Sequence, residues 1–144
     1  MNLDIGAKRP INGDQVFVVG QCVPSYSEPP FVLLYDTAKR HRAKRNIRMI
    51  TPVSIVDALG QNAFTEIQYP GWGRVWIRST RVRHVRPMSA VELENSSASF
   101  GSVVLFTHDR DPEDQHAGFM LFGMEASQVA PMLLKEPTHS ASHP

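Results

Sequence analysis

Between Ala63 and Val85 apolar and polar side chains alternate, in two runs separated by Pro70-Gly71-Trp72-Gly73. A period of two sends successive side chains to opposite faces of a strand, and a Pro/Gly break between two such runs is hairpin chemistry. Phe64-Thr65-Glu66-Ile67-Gln68-Tyr69 is the outgoing strand and Arg74-Val75-Trp76-Ile77-Arg78 the return. On the return strand Val75 and Ile77 share one face, while Arg74, Trp76 and Arg78 share the other. After Ser79-Thr80 the alternation resumes, with Arg81 and Arg83 opposite Val82 and His84, and Arg86-Pro87 closes the segment.

The rest of the chain is punctuated in the same way. Gln15 to Val19 is a β-branched run ended by Gly20, and Phe31 to Tyr35 is an apolar run that reads as a strand buried on both faces. The segments before and between them, Met1–Asp14 and Pro24–Pro30, read as an arm and a surface loop. Asp36 to Arg45 shows no apolar face, so a long hairpin tip or an exposed helical turn is expected there. Ile47 to Val56 returns to strand character with Pro52 forcing an edge or a bulge, and Ser54–Leu59 either continues as strand, the preferred reading, or forms one helical turn before Gly60. Val103–Phe106 and Phe119–Phe122 read as a second hairpin. Ala90–Glu94 and Ala126–Leu134 read as short helices, the latter weakened by Pro131. The expectation is a mainly β fold, with α+β as the alternative: a small SH3-like or other open barrel of about six to eight short strands with one or two short helices.

Length and charge bound the organisation. A chain of 144 residues with 42% apolar and 20% charged residues has the composition of one globular domain. Residues 1–136 are expected to form that domain and 137–144 a disordered tail, with an internal boundary placed at 88–99, where the serines cluster. The formal net charge of +1 hides an asymmetry: residues 1–86 carry 13 Lys and Arg against 6 Asp and Glu, and residues 87–144 carry 2 against 8. The two parts are therefore +7 and −6, a layout that suits either an internal electrostatic contact or two surfaces with different partners. A single cysteine, Cys22, the polar first 14 residues and the absence of a long apolar run point to a reducing, cytoplasmic setting with no membrane partner.

A stretch of about 30 residues, 55–85, resembles the last half of a bacterial SH3-like barrel. The likeness lies in Phe64-Thr65-Glu66-Ile67, in Gly73-Arg74-Val75-Trp76-Ile77, and in the small polar turn Ser79-Thr80 leading to Arg81-Val82. Trp72 stands before the glycine, where that pattern has a tryptophan after it. The resemblance implies a fold class and, since members of the family bind peptides, cell-wall components or nucleic acids, a binding role. It assigns no binding residue.

Three constellations could carry chemistry. The first is the run Lys39, Arg40, His41, Arg42, Lys44 and Arg45, extended by Arg48, a concentration of positive charge suited to phosphate backbones. As bland alternatives it is a solvated loop tip or a nuclear-import signal. The second is Arg74, Trp76 and Arg78, continued by Arg81 and Arg83. If these face solvent, an indole flanked by guanidiniums could stack bases and pair phosphates. Otherwise Trp76 packs a core layer and the arginines cap it with their stems. The third is the loop from Thr107 to His116, in which His108, Asp109 and His116 are weak metal candidates; an acidic exposed turn is the simpler account. No Walker loop, G-x-S-x-G, H-E-x-x-H or paired C-x-x-C is present, so no cofactor is expected and the reading leans away from an enzyme, with a small enzyme that uses the His108–His116 region as a third alternative. These features favour a nucleic-acid-binding accessory protein that uses the basic run and the Arg/Trp strand. The alternative is a protein–protein interaction module or inhibitor, and opposite charges would also permit a homo-oligomer.

Overall fold

The computed structural model describes residues 2–6, 9–22, 29–36, 39–69, 73–109 and 118–134. Among them lie ten strands in three antiparallel sheets and three short helices, more of each than the spacing of apolar runs suggested. The chain divides into two compact units, residues 1–80 and 81–144, so the serine cluster at 96–99 lies inside the second unit. No helix among the described residues is long and apolar enough to cross a membrane.

The first unit is built on a five-stranded sheet. Its members are β3 (Val16–Cys22), β4 (Phe31–Asp36), β5 (His41–Asn46), β6 (Thr65–Tyr69) and β7 (Gly73–Ile77), in the order β5-β4-β3-β7-β6. The expected hairpin is present: Ile67 pairs with Val75 and Tyr69 with Gly73. A two-stranded ribbon of β1 (Asn2–Leu3) and β2 (Ile11–Asn12) replaces the expected irregular arm. One face of the sheet carries Val19, Val32 and Trp76 into a core shared with Ile5, Ile11, Ile55 and Phe64. Val18, Phe31, Ile67, Val75 and Ile77 on the opposite face are buried as well. Burial on both faces is why β3 and β4 read as continuous apolar runs.

Two segments of this unit depart from the sequence expectation. Residues 39–45 do not form a loop tip; most of them form β5, paired along its length with β4 from Phe31–Asn46 to Asp36–His41. Residues 52–59 do not continue a strand. They form the helix α1 (Pro52–Leu59), because Thr51 caps its start by accepting the Ser54 N–H at 3.2 Å and Pro52 occupies the first turn, where a missing N–H costs nothing. Gly60, at φ +108°, then ends the helix in a conformation that side chains disfavour.

The second unit contains β8 (Val82–Pro87), α2 (Ala90–Glu94), β9 (Gly101–Phe106), β10 (Phe119–Phe122) and α3 (Ala126–Leu133), with sheet order β10-β9-β8. The predicted second hairpin is confirmed by pairs running from Phe119–Val104 to Phe122–Gly101. All six β9 residues are buried, and α3 packs on β8 and β9. Both expected short helices are present, α3 with Pro131 inside it. The tail expected at 137–144 lies outside the described residues.

Candidate functional site

The basic run becomes an edge strand. Asp36 Oδ1 accepts the Lys39 N–H at 3.0 Å at the turn between β4 and β5, and Arg40 follows at φ 57°. Side chains then alternate across β5. Lys44 lies over the Phe31 ring at 4.8 Å and Arg42 over the Phe17 ring at 6.0 Å, while Ala43 packs on the core of the opposite face beside Arg45. Charged side chains suit an edge, where unpaired backbone would otherwise recruit another strand. Lys39, Arg40, Lys44, Arg45 and Arg48 are exposed and Arg42 is half-buried. Among the described residues Lys39, Arg40, Arg45 and Arg48 take part in no ion pair; Arg45 donates instead to the Lys44 carbonyl at 3.1 Å.

Beside this hairpin lies an open cleft of about 470 Å³. Arg9, Lys39 and Arg45 bring positive charge to it and Asp36 a carboxylate. Pro10, Ile11 and Leu34 supply apolar surface, and Asn12 and Gln15 supply amides. The wall from Arg9 to Gln15 is held in place. Asn12 Oδ1 accepts the Asp14 N–H at 3.0 Å and caps the 3-10 turn Gly13–Gln15. The Arg78 guanidinium donates to the Gly13 carbonyl at 2.9 Å from below.

That bond reassigns Arg78. The sequence allowed Arg74, Trp76 and Arg78 to face solvent together, and the structure corrects this. Trp76 is only 5% exposed and Arg78 8%. The Arg78 guanidinium lies over the Phe64 ring at 4.8 Å, while its backbone N–H donates to the Phe17 carbonyl. Burying a guanidinium is tolerable here because an aromatic face and a carbonyl replace part of its hydration. Arg74 covers Trp76 at 4.6 Å and makes a two-point ion pair with Glu66, at 2.8 and 3.0 Å. The hydrogen bonds from Arg74 hold the Glu66 carboxyl below its usual range. These three side chains therefore follow the other account, in which the indole packs in the core and cations cap it.

Strand register separates the remaining cations. The cross-strand row Arg45–Val32–Val19–Trp76–Glu66 places Arg45 and Arg74 on one face at opposite sides of the sheet. The next row, Lys44–Leu33–Val18–Ile77, puts Lys44 and with it Arg42 on the other face. Arg81, half-buried at the end of the 3-10 turn Ser79–Arg81, and Arg83, exposed on β8, belong to the second unit. The structure thus gathers Lys39 and Arg45 with Arg9 and does not bring the Arg/Trp strand to them.

The histidine loop is described only as far as Asp109, and His116 lies outside the described residues. Asp109 is buried at the end of β9, where Oδ2 accepts the Phe106 N–H at 2.7 Å and Oδ1 lies 3.6 Å from His108 Nε2. The His108 ring stacks on Phe106, with centroids 5.8 Å apart and planes 4° apart. Among the described residues no group of three or more His, Cys, Asp or Glu could hold a metal ion.

Two features escaped the sequence reading. Arg9 reaches the cleft, yet its only local signal was the turn Lys8-Arg9-Pro10. Glu92 is buried and accepts from the two terminal Arg86 nitrogens, Nη1 and Nη2, at 2.8 and 3.0 Å, as well as from the Ser89 N–H. The spacing Ser89-x-x-Glu92 is a capping-box signature and could have revealed it. The chain matches no protein-family model, no curated protein sequence and no solved structure.

Proposed function

We propose that the chain is an accessory or regulatory protein that binds nucleic acid through the β4–β5 hairpin. One observation carries this reading: of six Lys and Arg between positions 39 and 48, five lie on one edge hairpin and Arg48 follows two residues after it, and four of the six take part in no ion pair among the described residues. Such groups release counterions from a phosphate backbone without first breaking internal pairs. The Arg/Trp strand is left out of the contact, because Arg74 is neutralised and Trp76 and Arg78 are buried. The sheet order and the 3-10 turn after β7 support reading the first unit as an open SH3-like barrel.

The test is affinity for duplex and single-stranded nucleic acid across a salt series. Four phosphate contacts correspond to a slope of log K against log salt of about −3.6 on duplex. Replacing Lys39, Arg40, Arg45 and Arg48 together by glutamine should bring that slope close to zero. No binding by the wild type at low salt would sink the proposal. A second reading is an acidic protein partner on the same hairpin, favoured by the separation of the cations onto different faces. A stoichiometric, nuclease-insensitive protein partner lost with the same substitutions would replace the first reading.

A further inference from the structure

The cleft beside the hairpin has a more specific chemistry than its edge strand. Its walls come from two distant parts of the chain, residues 9–15 on one side and Leu34, Asp36, Lys39 and Arg45 on the other. Among the described lining residues three cations and one carboxylate leave a formal balance of two positive charges. An internal phosphodiester carries one negative charge, whereas a phosphate monoester carries about 1.5 to 2 at neutral pH. The second thus matches the cleft more closely. Three separate donors also suit the three terminal oxygens of a monoester. A volume of about 470 Å³ falls in the range of small-ligand sites.

The apolar surface speaks to what the phosphate is attached to. Ile11 and Leu34 are 8% and 6% exposed, and the Pro10 ring is exposed beside them. The exposed Pro10 ring is therefore the main face for a flat, weakly polar group such as a nucleobase, and Ile11 and Leu34 add only small apolar areas to it. Asp36 is an acceptor suited to a sugar hydroxyl or an exocyclic amine. The bond from Arg78 to Gly13 and the Asn12 cap hold residues 12–14 of this wall before any ligand arrives, which lowers the ordering cost of binding.

We infer that this cleft is a site for a nucleotide phosphate monoester, with Arg9, Lys39 and Arg45 on the phosphate, Pro10, Ile11 and Leu34 against the base, and Asp36 on a sugar or base donor. The inference rests on the hairpin reading for Lys39 and Arg45, whereas Arg9 stands outside the hairpin. The same chemistry occurs in a free mononucleotide and at the phosphorylated end of a strand.

Calorimetric titration of the full chain at low salt separates these cases. The probes are a purine and a pyrimidine nucleoside monophosphate, the matching nucleosides, inorganic phosphate, and short single strands ending in phosphate or hydroxyl. The monophosphate should bind roughly tenfold or more tightly than either the nucleoside or inorganic phosphate. Arg9→Gln should weaken every phosphate-ended ligand by about tenfold and leave hydroxyl-ended strands unchanged, with Arg9→Lys intermediate. Arg42→Gln combined with Lys44→Gln, on the other face of β5, should leave affinity for the monophosphate unchanged. Tighter binding of the phosphate-ended strand than of the mononucleotide identifies a strand end as the source, and the opposite order a free nucleotide. Equal affinity for the monophosphate and its nucleoside, or an Arg9→Gln variant that binds the monophosphate as wild type does, overturns the cleft assignment while salt-dependent binding of hydroxyl-ended strands still upholds the hairpin. Inorganic phosphate binding as tightly as the monophosphate overturns the base contact. Absence of all binding removes both.

Discussion

Single residues in this protein carry constraints that their neighbours in sequence do not announce. Gly20 faces Phe31 across β3 and β4, and a Cβ there would sit 2.4 Å from the Phe31 ring. The ring fills the space a side chain would occupy, and Lys44 then covers the ring. Gly20→Ala should destabilise the protein by roughly 1–3 kcal/mol, since a packed ring must move, and thermal unfolding will show it. Glu92 is the second case. The hydrogen bonds from Arg86, with the Ser89 backbone N–H assisting, outweigh burial and hold its carboxyl down to about 2. A depressed carboxylate stabilises the folded state above its unfolded value of about 4.3, and that contribution fades as pH falls through the folded value. The contribution is on the order of 3 kcal/mol at neutral pH. In urea titrations the gap between wild type and Glu92→Gln should therefore be constant above about pH 5 and close progressively towards pH 2. A gap that does not change with pH would refute the Arg86–Glu92 account.

At the scale of elements, legibility followed burial. The strands β3, β4, β6, β7, β9 and β10 were readable because their side chains meet a core on at least one face, which leaves a pattern in the sequence. The edge strand β5 was not, because only Ala43 of its residues packs on a core and the others are polar. Backbone pairing to β4 places it, and such pairing leaves no periodicity. The helix α1 was misread for a different reason. Its β-branched residues Val53, Ile55 and Val56 suggest a strand, but the Thr51 cap and Pro52 start the chain helically, and Ile55 and Val56 reach the core from one helical face. Thr51→Ala should accordingly cost about 1 kcal/mol, measurable by chemical denaturation. If stability is unchanged, packing alone holds the helix.

For the whole molecule, the decisive matter is which charges remain available. Of the arginines singled out in the hairpin, Arg74 is engaged by Glu66 and Arg78 by Gly13 and Phe64. Arg74→Gln should therefore leave affinity for nucleic acid within about twofold, while the Lys39 and Arg45 substitutions lower it tenfold or more. A large loss from Arg74→Gln in a filter-binding or fluorescence assay would restore the Arg/Trp surface to the contact.

The amino-acid sequence by itself determined the β-rich class, the two hairpins, two of the three helices and the concentration of charge near residue 42, because each depends on residues close together in the chain. Tertiary structure decided which cations are free and which are structural. Whether a guanidinium stays hydrated or is clamped depends on what lies across the fold from it. For Arg78 that is a carbonyl 65 positions away, and for the cleft it is the meeting of residues 9–15 with Leu34, Asp36, Lys39 and Arg45. No local pattern encodes such long-range contacts, since the desolvation that makes them selective exists only once the core has closed.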